Sequence, residues 1–276
     1  MRVGVVGHVE WIEFARVPRV PEPGAIVHAS ETWEEPGGGG AVAAVQLAKL
    51  AGGATFFTAL GNDALGHRAF AELTALGLRV EAAWRNEPQR RGFVHADARG
   101  ERTITVIGDR LGPSGSDDLP WADLEGADAV YFTAGDAAAL MHTRSARMLV
   151  ATARHLEPIT EAGVQVDVLV ASAKDAGERY ERGRLDPEPL AVVRTAGDRG
   201  GTWEDSGGAS GQWDATPLPG PVSDAYSCGD SFAAGLTYGL GAQLALPEAL
   251  TLGARCGAAN FTGRGPYAGQ LTAAAL

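Results

Sequence analysis

The sequence predicts an α/β fold in which a mainly parallel central sheet, flanked by helices, carries a small antiparallel β lid. Three observations lead there. Short β-branched runs at Val3–Val6, Ala127–Thr133, Val164–Ala171 and Leu190–Thr195 read as strands. Ala/Leu-rich stretches of helical spacing lie between them, and such alternation produces a parallel sheet covered by helices. Two segments, 8–35 and 91–108, break the alternation and read as antiparallel strands outside the main sheet.

Taken in order, Met1–Gly7 is a strand with no long apolar run behind it, so no leader or membrane anchor is expected. The stretch 8–35 is rich in Pro, Glu and Trp, and its strands form the first half of the lid. Four glycines, Gly37 to Gly40, then open a helix in which Ala41, Ala44, Val45 and Ala48 share one face. The second half of the lid turns at Ala98-Arg99-Gly100. Ser206–Gly211 reads as a hairpin or surface loop, and Phe232, Leu236 and Leu240 mark the apolar face of a late helix. With 276 residues, 45% of them hydrophobic, the whole of 1–276 is expected to form one large domain.

A net charge of −11 and a pI near 5.0 exclude a polyanion such as nucleic acid as partner, because phosphate backbones are bound by surplus Lys and Arg. Cys228 and Cys256 are the only cysteines, without CxxC spacing, which argues against zinc or a disulfide framework and for a reducing cytoplasm. No apolar run approaches a membrane span.

The segment richest in chemistry is Asp224-Ala225-Tyr226-Ser227-Cys228-Gly229-Asp230-Ser231-Phe232, where a small-residue turn meets a helix start. Amides exposed at such a turn, reinforced by the helix dipole, make an anion site. A carboxylate in the same turn can take a proton beside the bound anion. The plainer reading makes Asp230 a helix-capping acid. In Pro36-Gly37-Gly38-Gly39-Gly40-Ala41-Val42 the missing Cβ atoms let backbone approach a ligand closely. Gly38-Gly39-Gly40-Ala41-Val42-Ala43 also satisfies the dinucleotide fingerprint, but it comes some thirty residues after the first strand and no acid ends a second strand where one is required.

These segments together resemble the ribokinase/PfkB family of carbohydrate kinases over nearly the whole chain, and the resemblance makes the expected fold ribokinase-like. That family carries an aspartate, a few residues, then Gly-Ala-Gly-Asp, a small residue and Phe. Asp224, Ser227-Cys228-Gly229-Asp230 and Phe232 stand in those places. The resemblance implies ATP-dependent phosphorylation of a hydroxyl on a sugar or related molecule, with Asp230 as base and the amides of Ser227, Cys228 and Gly229 as anion hole. It places the acceptor against Gly37, Gly38, Gly39, Asp224 and the acids Glu10 and Glu13. The nucleotide falls along Thr195, Gly197 and Gly200, with Asn260 where the adenine pocket closes. ATP and magnesium are the implied cofactors, with a monovalent cation as a further candidate. The Asn-x-x-Glu of the family is replaced by Ser172-Ala173-Lys174-Asp175, which leaves Asp175 as the metal acid or, equally, as a helix-terminal acid capped by Ser172. Gly61-Asn62-Asp63-Ala64-Leu65-Gly66 matches a largely structural turn.

Departures set further expectations. If the turn requires positive φ at position 227, a serine there is strained. The Cys228 thiol, beside an anion site, is expected to have a lowered pKa and to be sensitive to oxidation. Val42 replaces an asparagine that contacts substrate in the family, which points away from ribose. Few basic residues fall within Gly7–Gly40, which disfavours a phosphorylated acceptor unless the lid brings Arg16 and Arg19 over the pocket. Exposed lid edges suit pairing into a homodimer. A kinase-fold protein that binds a sugar or nucleoside with little or no turnover is the alternative reading, and a nucleoside kinase a further one.

Overall fold

The computed structural model describes residues 1–275. The chain opens with β1 (Val3–Val6), buried at every position as a strand inside a parallel sheet must be. It leaves the main sheet for β2 (Glu10–Arg16) and β3 (Glu31–Gly37), then returns through α1 (Gly39–Ala51) to β4 (Ala54–Gly61). After α2 (Ala64–Ala75) and β5 (Leu78–Arg85) it leaves again for β6 (Arg91–Ala96) and β7 (Arg102–Ile107). The second half adds β8 (Ala129–Phe132), α3 (Ala137–Thr143), β9 (Leu149–Thr152), α4 (Leu156–Ala162), β10 (Val168–Ser172) and β11 (Ala191–Thr195). The hairpin β12 (Gly201–Asp205) and β13 (Ser210–Trp213) and the helices α5 (Cys228–Gly241) and α6 (Leu246–Asn260) complete it.

The main sheet has nine strands in the order β13-β12-β11-β10-β9-β8-β1-β4-β5. Seven of them, from β11 to β5, run parallel, and only the β12–β13 hairpin is antiparallel. Phe56 and Phe57, adjacent in β4, point to opposite faces and enter two different cores. One core packs α1, α2, α5 and α6 against the sheet, and the other holds α3 and α4. Helix α1 is buried nearly all round, which its Ala, Val and Leu content permits.

The predicted lid is a separate four-stranded sheet, β3-β2-β6-β7. Its two hairpin ladders are antiparallel, and a parallel β2–β6 pair joins them, because β2 and β6 leave the main sheet from the same end. That end is the carboxyl edge of β1 and β5, where ligands of open α/β sheets bind. Strand β7 forms one edge of the lid and exposes Ile104, Val106 and Ile107.

Candidate active site

The turn before α5 places Ser227 at φ 67°, ψ 13°, in the left-handed region that non-glycine residues rarely adopt. The expected strain at this position is therefore present. A network of buried groups holds it. Asn260, fully buried at the end of α6, donates its Nδ2 to the Tyr226 carbonyl at 2.8 Å. The Tyr226 hydroxyl accepts from the Gly38 amide at 3.1 Å, and its ring meets Phe14 of the lid edge-on at 5.2 Å. Asp224, 1% exposed, accepts the amides of Tyr226 at 2.9 Å and Gly265 at 2.7 Å.

Two expectations change on these contacts. Asp224 does not face the acceptor, since both carboxylate oxygens are engaged by backbone within the protein. Asn260 does not line an adenine pocket, since it is sealed beneath the turn. Both hold the backbone of the segment that ends in Asp230.

Asp230 lies in the first turn of α5, half-buried. Its carboxyl is pushed up to about 6, first by loss of solvent and then by the charge of Glu178, against the pull of Arg102 and Arg154. A Cβ on Gly39 would lie 2.8 Å from Asp230 Oδ1, so the glycine run and the carboxylate are in contact. Gly38, at φ 85°, lies against Glu10 and His8, where a Cβ would meet Glu10 N at 3.0 Å. Gly38 and Gly39 both border His8, whereas Gly37 packs against Tyr226 and Ile12. Gly229 faces open space.

Glu10 is held by Arg90 at 2.8 Å, and burial raises its pKa against the pull of that arginine. Glu13 is three residues along the same strand and so on the opposite face, where it pairs with Arg91 at 3.5 Å. It is not brought to the site. Val42 is fully buried in the core.

The loops after β10 and β11 adjoin each other because those strands are parallel neighbours. Ser172 Oγ accepts the amides of Lys174 and Asp175, both at 3.2 Å, and Lys174 reaches Asp198 at 2.8 Å. Thr195 ends β11, and Gly197 and Gly200 both take positive φ in the turn that follows, with the Lys174 ammonium 2.8 Å from where a Gly197 Cβ would stand. Asp175 is ion-paired with Arg154, which holds its carboxyl below the usual range, and it also accepts the Gly177 amide. Arg154 pairs with Glu178 as well.

Glu178 went unnoticed in the sequence, although it exerts the largest charge effect on Asp230. The signal was available: Asp175-Ala176-Gly177-Glu178 reproduces the acid spacing of Asn-x-x-Glu three residues further on. Arg102, at the start of β7, was placed in the lid but given no role; it donates to the Ala225 carbonyl at 2.7 Å and tethers the lid to the catalytic turn. The Cys228 thiol is pushed up to about 12 by burial, which overturns the expectation of a lowered pKa and an oxidation-sensitive turn.

A separate cavity of about 570 Å³, lined by Trp33, Glu35, Lys49, Glu72, Arg264 and Tyr267, touches none of these groups. Among the described residues no three His, Cys, Asp or Glu side chains cluster as a ready-made metal cage, and no helix is long and apolar enough to cross a membrane.

The family model for the pfkB family carbohydrate kinases matches residues 2–183 and 187–273. The chain belongs to the pfkB family of carbohydrate kinases. The solved structures it resembles agree with the pfkB family in fold. Ribokinase from Thermotoga maritima superposes with a TM-score of 0.80 at 20% identity, covering 100% of this chain and 97% of that one. Ribokinase from Arabidopsis thaliana, complexed with ribose and ATP, gives 0.76 at 19% identity, covering 99% and 96%. Adenosine kinase from Sinorhizobium meliloti gives 0.78 at 19% identity, covering 99% and 97%. No curated protein matches the chain.

Proposed function

We propose that the protein transfers the γ-phosphoryl group of ATP to a hydroxyl of a sugar or sugar-like small molecule. The observation that carries this reading is the contact between Asp230 and the glycine run, which sets a base with a raised pKa against a backbone-lined floor. The acceptor hydroxyl gives its proton to Asp230 as its oxygen bonds to the γ-phosphorus, and the bond to the β–γ bridging oxygen breaks to release ADP. Amides of Ser227, Cys228 and Gly229 face the charge that develops on the transferred group. Occupation of a relative by ribose and ATP supports the two-ligand reading, with the nucleotide along Thr195, Gly197 and Gly200.

Asp175 and Glu178, which share Arg154 in this structure, are the acids that would hold a magnesium ion bound with the nucleotide. The ion would supply charge neutralisation at the phosphates. The exposed edge β7 would pair with a second copy of the chain; sedimentation giving only monomers at micromolar concentration rejects that assembly.

The test follows ADP release with ATP, magnesium and a panel of sugars and nucleosides for wild type and Asp230→Asn. Release that depends on both an acceptor and Asp230 is expected. If wild type never exceeds the variant while still binding a panel member in calorimetry, the protein is a binding protein on a kinase fold, a reading that the strain at Ser227 favours.

A further inference from the structure

We infer that the acceptor is an anionic sugar derivative, whose carboxylate or phosphate oxygens are held by Arg110 and Arg90 at the lid end of the cleft. The inference rests on the kinase reading and narrows its substrate class.

Five basic side chains from four separate segments converge there. His8 follows β1, Arg90 precedes β6, Arg110 follows β7, and Arg154 and His155 follow β9. Their proximity shows in contacts: Glu10 lies 2.8 Å from Arg90 and 3.8 Å from His8, and Arg110 reaches His155 at 3.4 Å, while the charges of Arg90, Arg110 and Arg154 all bear on His8 and Glu10. Such a concentration is notable in a chain of net charge −11.

Their partners are unequal. Arg154 is satisfied by Asp175 and Glu178, and Arg90 is ion-paired with Glu10 at 2.8 Å although its buried Nε makes no hydrogen bond. Arg110 has no carboxylate partner. It donates Nη1 to His155 Nε2 at 3.4 Å, and its buried Nε has no acceptor. Burial and the neighbouring Arg90 and Arg154 all disfavour its charge, with Glu10 the one acid that offsets them. A guanidinium nevertheless stays protonated, so a partly desolvated one without a counter-charge lacks an anion. Its planar fork suits the paired oxygens of a carboxylate or phosphate.

His8 connects this cluster to the acceptor floor. His8, 7% exposed with an unpartnered Nδ1, packs against the glycine run, with its Cδ2 3.2 Å from where a Gly38 Cβ would stand. Burial and Arg110 keep His8 neutral, so it offers one hydrogen bond to a ligand without adding charge. Arg90 is fixed from behind. The preceding Gln89 donates its amide to Asp63 at 2.9 Å and accepts the Gly61 amide on its side chain at 3.1 Å, which gives the Gly61–Gly66 turn a purpose in the pocket. Arg154 acts on Asp230, Glu10 and His8 alike and so lies between the two ends, whereas Arg90, paired with Glu10 at 2.8 Å, and Arg110 act on Glu10 and His8 and are assigned to the acceptor. That assignment also answers the argument drawn from the few basic residues in Gly7–Gly40, since these cations come from later in the chain.

The experiment compares ribose, glucose and fructose with gluconate, 2-keto-3-deoxygluconate, glucose 6-phosphate and fructose 6-phosphate. Each is measured by calorimetry without nucleotide and by ADP release with ATP and magnesium. An anionic member should bind at least roughly tenfold more tightly than its neutral counterpart, and Arg110→Ala should remove roughly 10- to 100-fold of that affinity while leaving ATP binding unchanged. Preference within the anionic set separates carboxylate from phosphate. Arg110→Lys, with thermal melts of both variants, guards against a folding defect: it should retain part of the preference if charge is what matters. If no anionic sugar binds better than its neutral counterpart, or if Arg110→Ala weakens ATP and sugars alike, the inference is overturned. The two readings fail separately. Asp230-dependent turnover of neutral sugars alone leaves the kinase standing and removes the anionic acceptor. An Arg110-dependent preference for anionic sugars without ADP release does the reverse.

Discussion

At the phosphoryl end of the cleft the proposed working atoms are backbone amides of Ser227, Cys228 and Gly229, whereas at the acceptor end they are side chains, those of Glu10, Arg90 and Arg110. The first end tolerates replacement of its residues, because an N–H survives any change except proline, and the penalty falls on conformation. The second end changes its chemistry with each substitution. This explains why the chain can depart from the Gly-Ala-Gly-Asp pattern and still offer the same donors, and why its acceptor cannot be carried over from relatives at 16–20% identity.

The contrast makes predictions of decreasing size. Asp230→Asn should lower turnover by roughly 10²–10⁴-fold with ATP affinity preserved in calorimetry, since the side chain handles a proton and not the nucleotide. A wild-type rate in the variant would reduce Asp230 to a cap. Asn260→Ala should destabilise by about 1–3 kcal/mol by leaving the buried Tyr226 carbonyl unpaired, and should slow turnover with little change in acceptor affinity. Urea titration and steady-state kinetics check the two halves of that claim. If acceptor affinity collapses instead, the two ends are not separable.

The pH profile sharpens the same division. Asp230 must be ionised to accept a proton, and its pKa is raised to about 6, so kcat/KM should fall as pH drops through about 6. Glu178→Gln removes a neighbouring negative charge and should move that limb to lower pH; Arg102→Gln removes a positive one and should move it to higher pH. Limbs that stay put in both variants would assign the ionisation elsewhere. Ser227→Gly should relieve left-handed strain, adding about 1 kcal/mol of stability and raising turnover, read by thermal melting and ADP release. Cys228→Ala should change stability by no more than about 0.5 kcal/mol, and the thiol should react slowly with iodoacetamide at pH 8.

The turn proposed as the phosphoryl end was legible as a turn and helix start because it is contiguous, Asp224 to Phe232 carrying both within one stretch. The strands β1, β8, β10 and β11 were legible for a related reason, since the positions of a parallel strand that are buried on both faces must be apolar, and only the last residues of β10 and β11 depart from that. The parallel β2–β6 pairing was not, because it joins segments separated by β3, β4 and β5 and no local pattern encodes it. Glu10 and Glu13 were equal candidates by type, and strand alternation separates them only once their register is known. Arg90 and Arg110 escaped notice, and His8 reads as no more than a packed turn residue, because each is unremarkable in its own segment and only folding brings them together.

Tyr226 links the catalytic turn to the glycine floor through its hydroxyl and to α6 through its carbonyl, so base and floor are locked into one frame. The segments that bear Arg90 and Arg110 lie outside that frame, on the arms that lead into and out of the β6–β7 hairpin. The molecule is therefore modular for anyone who wishes to redirect it. A library randomised at positions 10, 90 and 110 would explore acceptor choice while the alignment of the proposed base and phosphoryl group is inherited unchanged.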